Sequence, residues 1–431
     1  MLRKACTTNE ESGMLADDAA RPLLLVVRTG QRDFREYLLQ SICPRYRVHM
    51  IMGVEPTWEL DYINGWTLVE QSLDVPTMVA AVKGINSREH IDGVLCWDET
   101  RIFASAHAAA ALGLPGGNPD AITRCRDKHL TRLALDEAGV PQPRSKQVES
   151  LDDALATAEQ FGFPVIIKPR DLALSIGVVK VNNPDELTKY FAHTSSLKVT
   201  ELPDYHPPVL LEEFVSGEEI SVDSAIHNGQ VYPLVLARKE IGFPPYCVEV
   251  GHYVYGGDPL VDDPQLLNIL RDTHAALGFT DGVTHTEIML SPDGPRVIEV
   301  NGRLGGDMIP YLGLRATGVD VALAAAAVAC GKPPEVTHDR KLVSAVRFFY
   351  PKEKDTVISS IRFDKEALPP AVDRLALLPA IGAVKSPPPE GTANGRIAFA
   401  TAVGETADEC REALDAAEAA LCVNLPDPVA P

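Results

Sequence analysis

At 431 residues the chain has room for about three domains of roughly 150 residues each, which excludes a peptide hormone, a disulfide miniprotein or a single small module. Its composition, 45% hydrophobic and 23% charged, is that of a globular protein, and no apolar run approaches the about 18 residues that cross a bilayer, so no membrane partner is expected. Sixty acidic against forty basic residues give a net charge of −20, which repels nucleic acid and anionic lipid and confines any anionic ligand to places where cations or backbone N–H groups gather.

Residues 1–20 lack the apolar core of a secretory signal and read as a disordered tail of a cytoplasmic protein. The eight cysteines are scattered without a C-x-x-C pair, the usage of reduced, structural thiols. From Pro22, PLLLVV is a run of strand length followed by a turn at Thr29-Gly30 and an amphipathic segment from Asp33 to Leu39. VHMIMG (48–53) and IDGVLCW (91–97) repeat the buried-strand pattern, with helical stretches at 75–85 and 100–112, so parallel strands with crossover helices are expected, ending near Ile122. No G-x-G-x-x-G follows the first strand, which argues against a dinucleotide site.

A helix is predicted over 127–139, closed by Gly139 and the prolines at 141 and 143. PVIIKP (164–169) and GVVKV (177–181) read as a hairpin, followed by a helix at 184–192 and the strand VLLEEF (209–214). Two strands in 219–237 meet at His227-Asn228-Gly229, a tight-turn signal. A helix at 264–277 precedes HTEIML (285–290) and PRVIEVN (295–301), joined by Pro292-Asp293-Gly294. Beyond 305 come two helical segments, the second alanine-rich (321–330), then strands at 342–350 and 396–403 and a helix at 405–422.

The hairpin at 285–301 carries the most chemistry. A three-residue loop at 292–294 sets Ser291 across from Pro295 and Glu287 directly across from Glu299, with Asn301 on the same face. Like charges so placed cost up to about 1 kcal/mol unless a cation lies between them, and Glu, Glu and Asn oxygens are hard ligands suited to magnesium. Read alone, an outward, solvated amphipathic hairpin explains these residues equally well. Lys168 near the end of an apolar strand and Lys128 at a helix start are candidates for an anion, and the loop DLALSIG offers Ser175 and Gly177 to phosphate oxygens. The stretch Glu212, Glu213, Phe214, Val215 with Glu218 and Glu219 fits an adenine edge and ribose hydroxyls, or simply an acidic exposed turn.

In order, D-K before a helix, V-I-I-K-P, a small-residue loop ending G-V, L-L-E-E-F-V-S-G-E-E-I-S-V-D and H-T-E…V-I-E-V-N-G-R-L-G-G resemble the ATP-grasp superfamily over roughly residues 20–425, and within it the L-amino acid ligases. The resemblance implies an α/β (α+β) fold: an N-terminal Rossmann-like pre-grasp domain (21–122), a small subdomain or lid (123–208), a large subdomain with a metal site (209–334), a biotin-carboxylase-like C-terminal unit (335–425) and a short tail (426–431). It also implies an ADP-forming carboxylate–amine ligase that makes an amide through an acyl phosphate. Lys128, Lys168, Ser175 and Gly177 would serve the ATP phosphates, Glu212 to Val215 the adenine, Glu218 or Glu219 the ribose, and Glu287, Glu299 and Asn301 two magnesium ions, with manganese an alternative.

Arg303 would touch the transferred phosphoryl group or the substrate carboxylate and stabilise the tetrahedral intermediate. Glu249 and His252, in C-V-E-V-G-H, would bind an ammonium group and orient the acyl phosphate or take the amine's proton, and Glu99 is a further substrate candidate. Three departures from the family pattern stand out. Leu174 replaces a glycine of the phosphate loop, Gly302 replaces the proline of N-P-R and loosens the turn holding Arg303, and Asp307 after Gly306 replaces an aromatic and makes the substrate pocket wide and acidic. The expected partners are small amino acids or peptides; a homodimer is allowed, and no sequence feature forces one. The alternatives are a carboxylase or nucleotide-biosynthesis ligase of the same fold, and a non-catalytic ATP-binding regulator.

Overall fold

The computed structural model describes residues 20–116, 118–170, 176–197 and 208–424; the predicted tails, apart from residue 20, and Leu174 and Ser175 lie outside them. Strands β1 (Leu23–Val27), β2 (Arg47–Met52), β3 (Gly65–Leu68) and β4 (Gly93–Leu95) form a parallel sheet in the order β3-β2-β1-β4. Every residue of β1 is buried because the sheet is covered on both faces: Leu24 and Val26 enter one core, Leu23, Leu25 and Val27 another. Residue 122, the expected end of this unit, lies inside the helix Pro119–Arg126, which runs almost directly into the helix Lys128–Glu137. Asp127 is the shared junction, its side chain accepting from the amides of His129 and Leu130, so the predicted helix start at 127 is a cap.

A second, antiparallel sheet has the order β5-β8-β6-β7, built from β5 (Ser145–Val148), β6 (Val165–Pro169), β7 (Val179–Val181) and β8 (Val209–Glu213). Helices Leu151–Phe161 and Pro184–Ser195 pack on it around Val165, Ile167 and Leu211. β8 therefore belongs to the small sheet, and not with the strands after it as a boundary at 208 implies, since its backbone is shared between β5 and β6.

The large sheet is built from β9 (Glu218–His227), β10 (Gln230–Gly242), β11 (Val248–Tyr255), β12 (Gly282–Ser291) and β13 (Gly294–Asn301). It continues without a break past residue 334 into β14 (Val343–Phe349), followed in the chain by β15 (Thr356–Val357), β16 (Ile361–Phe363), β17 (Val372–Leu377), β18 (Val384–Lys385), β19 (Ala398–Gly404) and β20 (Leu421–Val423). The eight-stranded order is β13-β12-β9-β10-β11-β14-β19-β17, while β15 with β18 and β16 with β20 make two short ribbons. β9 and β10 turn at Asn228 and Gly229, with φ of 51° and 76°, the left-handed pair that a tight hairpin requires. Among the described residues no single helix is long and apolar enough to cross a membrane, and the apolar pair Ile309–Ala316 and Val321–Ala329 packs in the core between the N-terminal unit and the large sheet.

Candidate functional site

The small sheet and the large sheet face each other across a cavity of about 210 Å³. Its apolar end is lined by Ile166 and Val178 on one side and Met289 and Ile298 on the other, closed by Phe214 and Val215. Its polar end holds Lys128, Lys168, Lys239, Glu287, Glu299 and Arg303.

Glu287 does stand opposite Glu299, by a route other than the expected one. The turn is tighter, with Ser291 paired to Gly294, which carries Ile288 to Val297. One extra residue on β13, Ile298, then bulges, and the shift restores the Glu287–Glu299 pair with His285 opposite Asn301. Lys128 Nζ lies 3.3 Å from Glu299 and Lys239 Nζ 2.9 Å from Glu287, so each carboxylate has an ammonium beside it. Burial would raise the Glu287 carboxyl, but Lys239 and His285 hold it well below the ordinary range. Two facing carboxylates and one amide oxygen are a donor set of the kind magnesium takes, and the residues fit the ion.

Lys239 is not among the residues expected from the sequence. Its ammonium is buried and lies 2.5 Å from Glu219, 2.9 Å from Glu249 and 2.9 Å from Glu287. Burial alone would lower its pKa; the three carboxylates raise it well above the usual lysine value. Glu219 is pushed up by burial and by Glu287 and Glu249, against the pull of Lys239. Alternation along β9 separates the two residues expected at a ribose: Glu219 lines the cavity, while Glu218 points away, half exposed and 2.6 Å from Arg238.

Glu212 lines the cavity but is committed to the protein, with Arg132 at 2.8 and 3.1 Å and Lys168 at 2.6 Å. Burial opposes its ionisation, and the two cations still hold it at about 2. Arg132 also donates to the carbonyls of Val297 and Ile298, so it joins the small sheet to β13 through one guanidinium. Lys168, burdened by desolvation, has its pKa lowered despite Glu212. Glu213 is half-buried between Arg144 and Arg296, and Lys180 lies over the Phe214 ring at 3.8 Å. Gly177 adopts φ of 74° beside the loop whose Ser175 is outside the described residues. That left-handed backbone is one that glycine adopts without strain.

Arg303 crosses to the N-terminal unit, its Nε 2.5 Å from Glu99, and donates to the carbonyl of Leu304. Gly302 does more than loosen the turn: a Cβ there would sit 2.4 Å from Ile122 Cδ1, so its smallness lets the turn close against the N-terminal unit. Asp307 does not make the wall acidic, because Arg396 holds both its oxygens at 2.7 Å. Although burial works against it, Arg396 and His252 keep that carboxyl well below its ordinary range. His252 is fully buried with no hydrogen bond to either ring nitrogen, 3.6 Å from Glu249 and 3.7 Å from Asp307. Gly306 faces open space.

Behind the cleft, Asp223 accepts from the Gly305 amide at 3.1 Å and contacts His285 Nδ1 at 2.7 Å. Burial lowers the His285 pKa, but its bonds to Asp223 and Glu287 prevail and lift it to about 9. The imidazolium thus ties the β12 carboxylate to the 305–306 backbone. Asp223 and His285 stand in the motifs S-V-D and H-T-E, and their partnership becomes visible only when β9 pairs with β12.

Two facing sheets, buried cations at one end of the cleft and paired carboxylates at its floor define an ATP-grasp fold, and residues 161–311 match the family described as ATP-grasp domain. The chain is 29% identical over 279 residues to alanine–anticapsin ligase of Bacillus subtilis (strain 168), a match covering 59% of this chain and 55% of the relative. The chain spans about half the length of the curated relatives it matches. Its fold is that of an L-amino acid ligase from Bacillus licheniformis, with a TM-score of 0.76 at 20% identity covering 94% of this chain and 99% of that one. It is also that of biotin carboxylase from Campylobacter jejuni, with 0.69 at 16% identity covering 95% and 93%. The chain thus has the ATP-grasp fold, carries a segment matching the ATP-grasp domain, and is similar to the L-amino acid ligases.

Proposed function

We propose that the protein is an ADP-forming carboxylate–amine ligase that joins an amino-acid-like carboxylate to the amine of an amino acid or peptide. The observation that carries this reading is the convergence of Glu287, Glu299, Asn301, Lys128, Lys168 and Arg303 on one cleft with an apolar slot at its other end. The likeness to alanine–anticapsin ligase favours amide formation over the carboxylase alternative.

In this reading Ile166, Val178, Met289 and Ile298 hold the adenine, the 213–215 backbone meets its edge, and Glu219 takes the ribose. Lys128 and Lys168 bind the phosphates as point charges. Glu287, Glu299 and Asn301 would hold magnesium, which would supply charge neutralisation at the phosphates. The substrate carboxylate oxygen attacks the γ-phosphorus as its bond to ADP breaks, giving an acyl phosphate. The amine then attacks the acyl carbon, phosphate leaves, and the amine gives up one proton, for which His252 beside Glu249 is the acceptor. Arg303, fixed by Glu99, stabilises the developing oxyanion. No covalent link to the protein is required, because positioning and charge neutralisation carry such transfers.

The test is to incubate the protein with ATP, magnesium and pools of amino acids and short peptides, following ADP together with new amide masses. The expected result is ADP in equal amount with a condensation product. ADP formation with no amide, or no substrate-dependent ADP from any pool, would overturn the ligase reading.

A further inference from the structure

The cations that line this cleft or pack directly behind it are matched to carboxylates with one exception, Arg35, which stands behind the lining residue Gly306. Lys128 faces Glu299, Lys168 faces Glu212, Arg303 faces Glu99, Arg396 faces Asp307, and Lys239 has three partners. Arg35, from the helix Arg32–Ile42 of the N-terminal unit, has no carboxylate within salt-bridge distance among the described residues; its guanidinium makes one hydrogen bond, from Nη1 to the carbonyl of Gly305 at 3.4 Å. Burial lowers its pKa, and Arg303 acts on it as a like charge, while Asp307 and Asp223 act from beyond contact. The buried Tyr37 hydroxyl, which also acts on it, has no hydrogen-bond partner.

A half-buried guanidinium bears a desolvation cost that a carbonyl offsets poorly, and its planar fork of donors suits a carboxylate. The next residue along, Gly306, lines the cleft and has nothing within 4 Å of where a side chain would start, so a ligand can come close to the backbone beside Arg35. The nucleotide end is walled by β6, β12 and β13, and the reacting anions there already have Lys128, Lys168 and Arg303. Arg35 reaches the 305–306 backbone from the opposite, N-terminal side.

We infer that Arg35 binds the unreacting carboxylate of the amine-donating substrate, which makes that donor an amino acid or a peptide with a free C-terminal carboxylate, as against a polyamine, ammonia or an amide. The inference rests on the ligase reading and deepens it.

The test compares amine donors with their carboxamides, L-alanine with L-alaninamide and L-leucine with L-leucinamide, in the wild type, Arg35→Met and Arg35→Lys. Turnover is read as ADP release with a pool of acids. Binding is read by calorimetry on protein saturated with magnesium and a non-hydrolysable ATP analogue. The wild type should prefer the carboxylate form at least tenfold in KM or Kd. Arg35→Met should weaken the carboxylate form at least tenfold and leave binding of the amide and of the nucleotide analogue within about threefold, while Arg35→Lys keeps part of the preference. Equal affinity for acid and amide in the wild type, no binding of either, or an equal loss of both in Arg35→Met would overturn the assignment. Discriminating binding without amide formation would instead sink the ligase reading and leave the carboxylate site standing.

Discussion

Replacing Lys239 with Met removes the single positive charge shared by Glu219, Glu249 and Glu287. At 2.9 Å and an effective dielectric of about 20, each contact represents about 6 kcal/mol of gross attraction, most of it cancelled by desolvation of the ions. Removing one partner from such a buried cluster leaves a net cost of about 3–5 kcal/mol. In metal-free buffer near pH 8 this is expected to lower the melting temperature by about 3–6 °C, read by calorimetry or circular dichroism. The deficit should shrink as the pH falls. Without the ammonium the crowded carboxyls titrate above their unfolded values, so protonation favours the folded state below those values and the benefit is lost as the pH rises through them. Millimolar magnesium should restore part of the loss, since Glu287 can then ligate the ion. A variant melting within about 1 °C of the wild type at pH 8, with no response to magnesium, would refute the account of this cluster.

Glu299→Ala is expected to abolish ADP formation while melting as the wild type does within a few degrees; substantial residual turnover would remove Glu299 from the metal site. His274 is buried between the Leu270 carbonyl and Thr284, and burial depresses its pKa to about 4. Stability should therefore be complete above the unfolded value near 6.5 and fall as the pH drops toward 4, by about 3 kcal/mol, a slope that urea titrations should find flattened in His274→Gln. Gly305→Ala would set a Cβ 2.9 Å from Asp223 Oδ1 and 3.0 Å from His285 Nδ1, and should cost about 1–3 kcal/mol and weaken magnesium binding by moving Glu287. Unchanged magnesium affinity in that variant would separate the glycine loop from the metal carboxylates.

The sequence displayed the elements better than their registers. The parallel strands, the 264–277 helix and the order of the motifs follow from apolar runs and turn residues. The site depends on two bulges that such patterns do not reveal. Counting from the Asn228-Gly229 turn would set Lys239 opposite Glu218, but an extra residue at Leu234 shifts β10 by one and brings it to Glu219. The Glu287–Glu299 pair was legible only because the bulge at Ile298 cancels the tighter turn. Lys239 was illegible because of the bulge at Leu234 and because a basic residue on a strand looks like any solvated one; Arg132 and Arg396 were illegible because their partners lie 80 and 89 residues away. Asp307 looked like an acidic wall for the same reason: its neutralising guanidinium arrives 89 residues later.

The unbroken run of β14, β19 and β17 onto the large sheet bears on how the chain can be cut or fused. A truncation near residue 334 would strip the hydrogen-bonding partner from β11 between Gly251 and Tyr255 and leave a raw strand edge next to His252. It would also carry away Arg396 and release Asp307 into the cleft as an uncompensated charge. The last hundred residues thus support the cleft from behind, through β11 and Asp307, and any shortened or grafted version has to take the whole sheet with it.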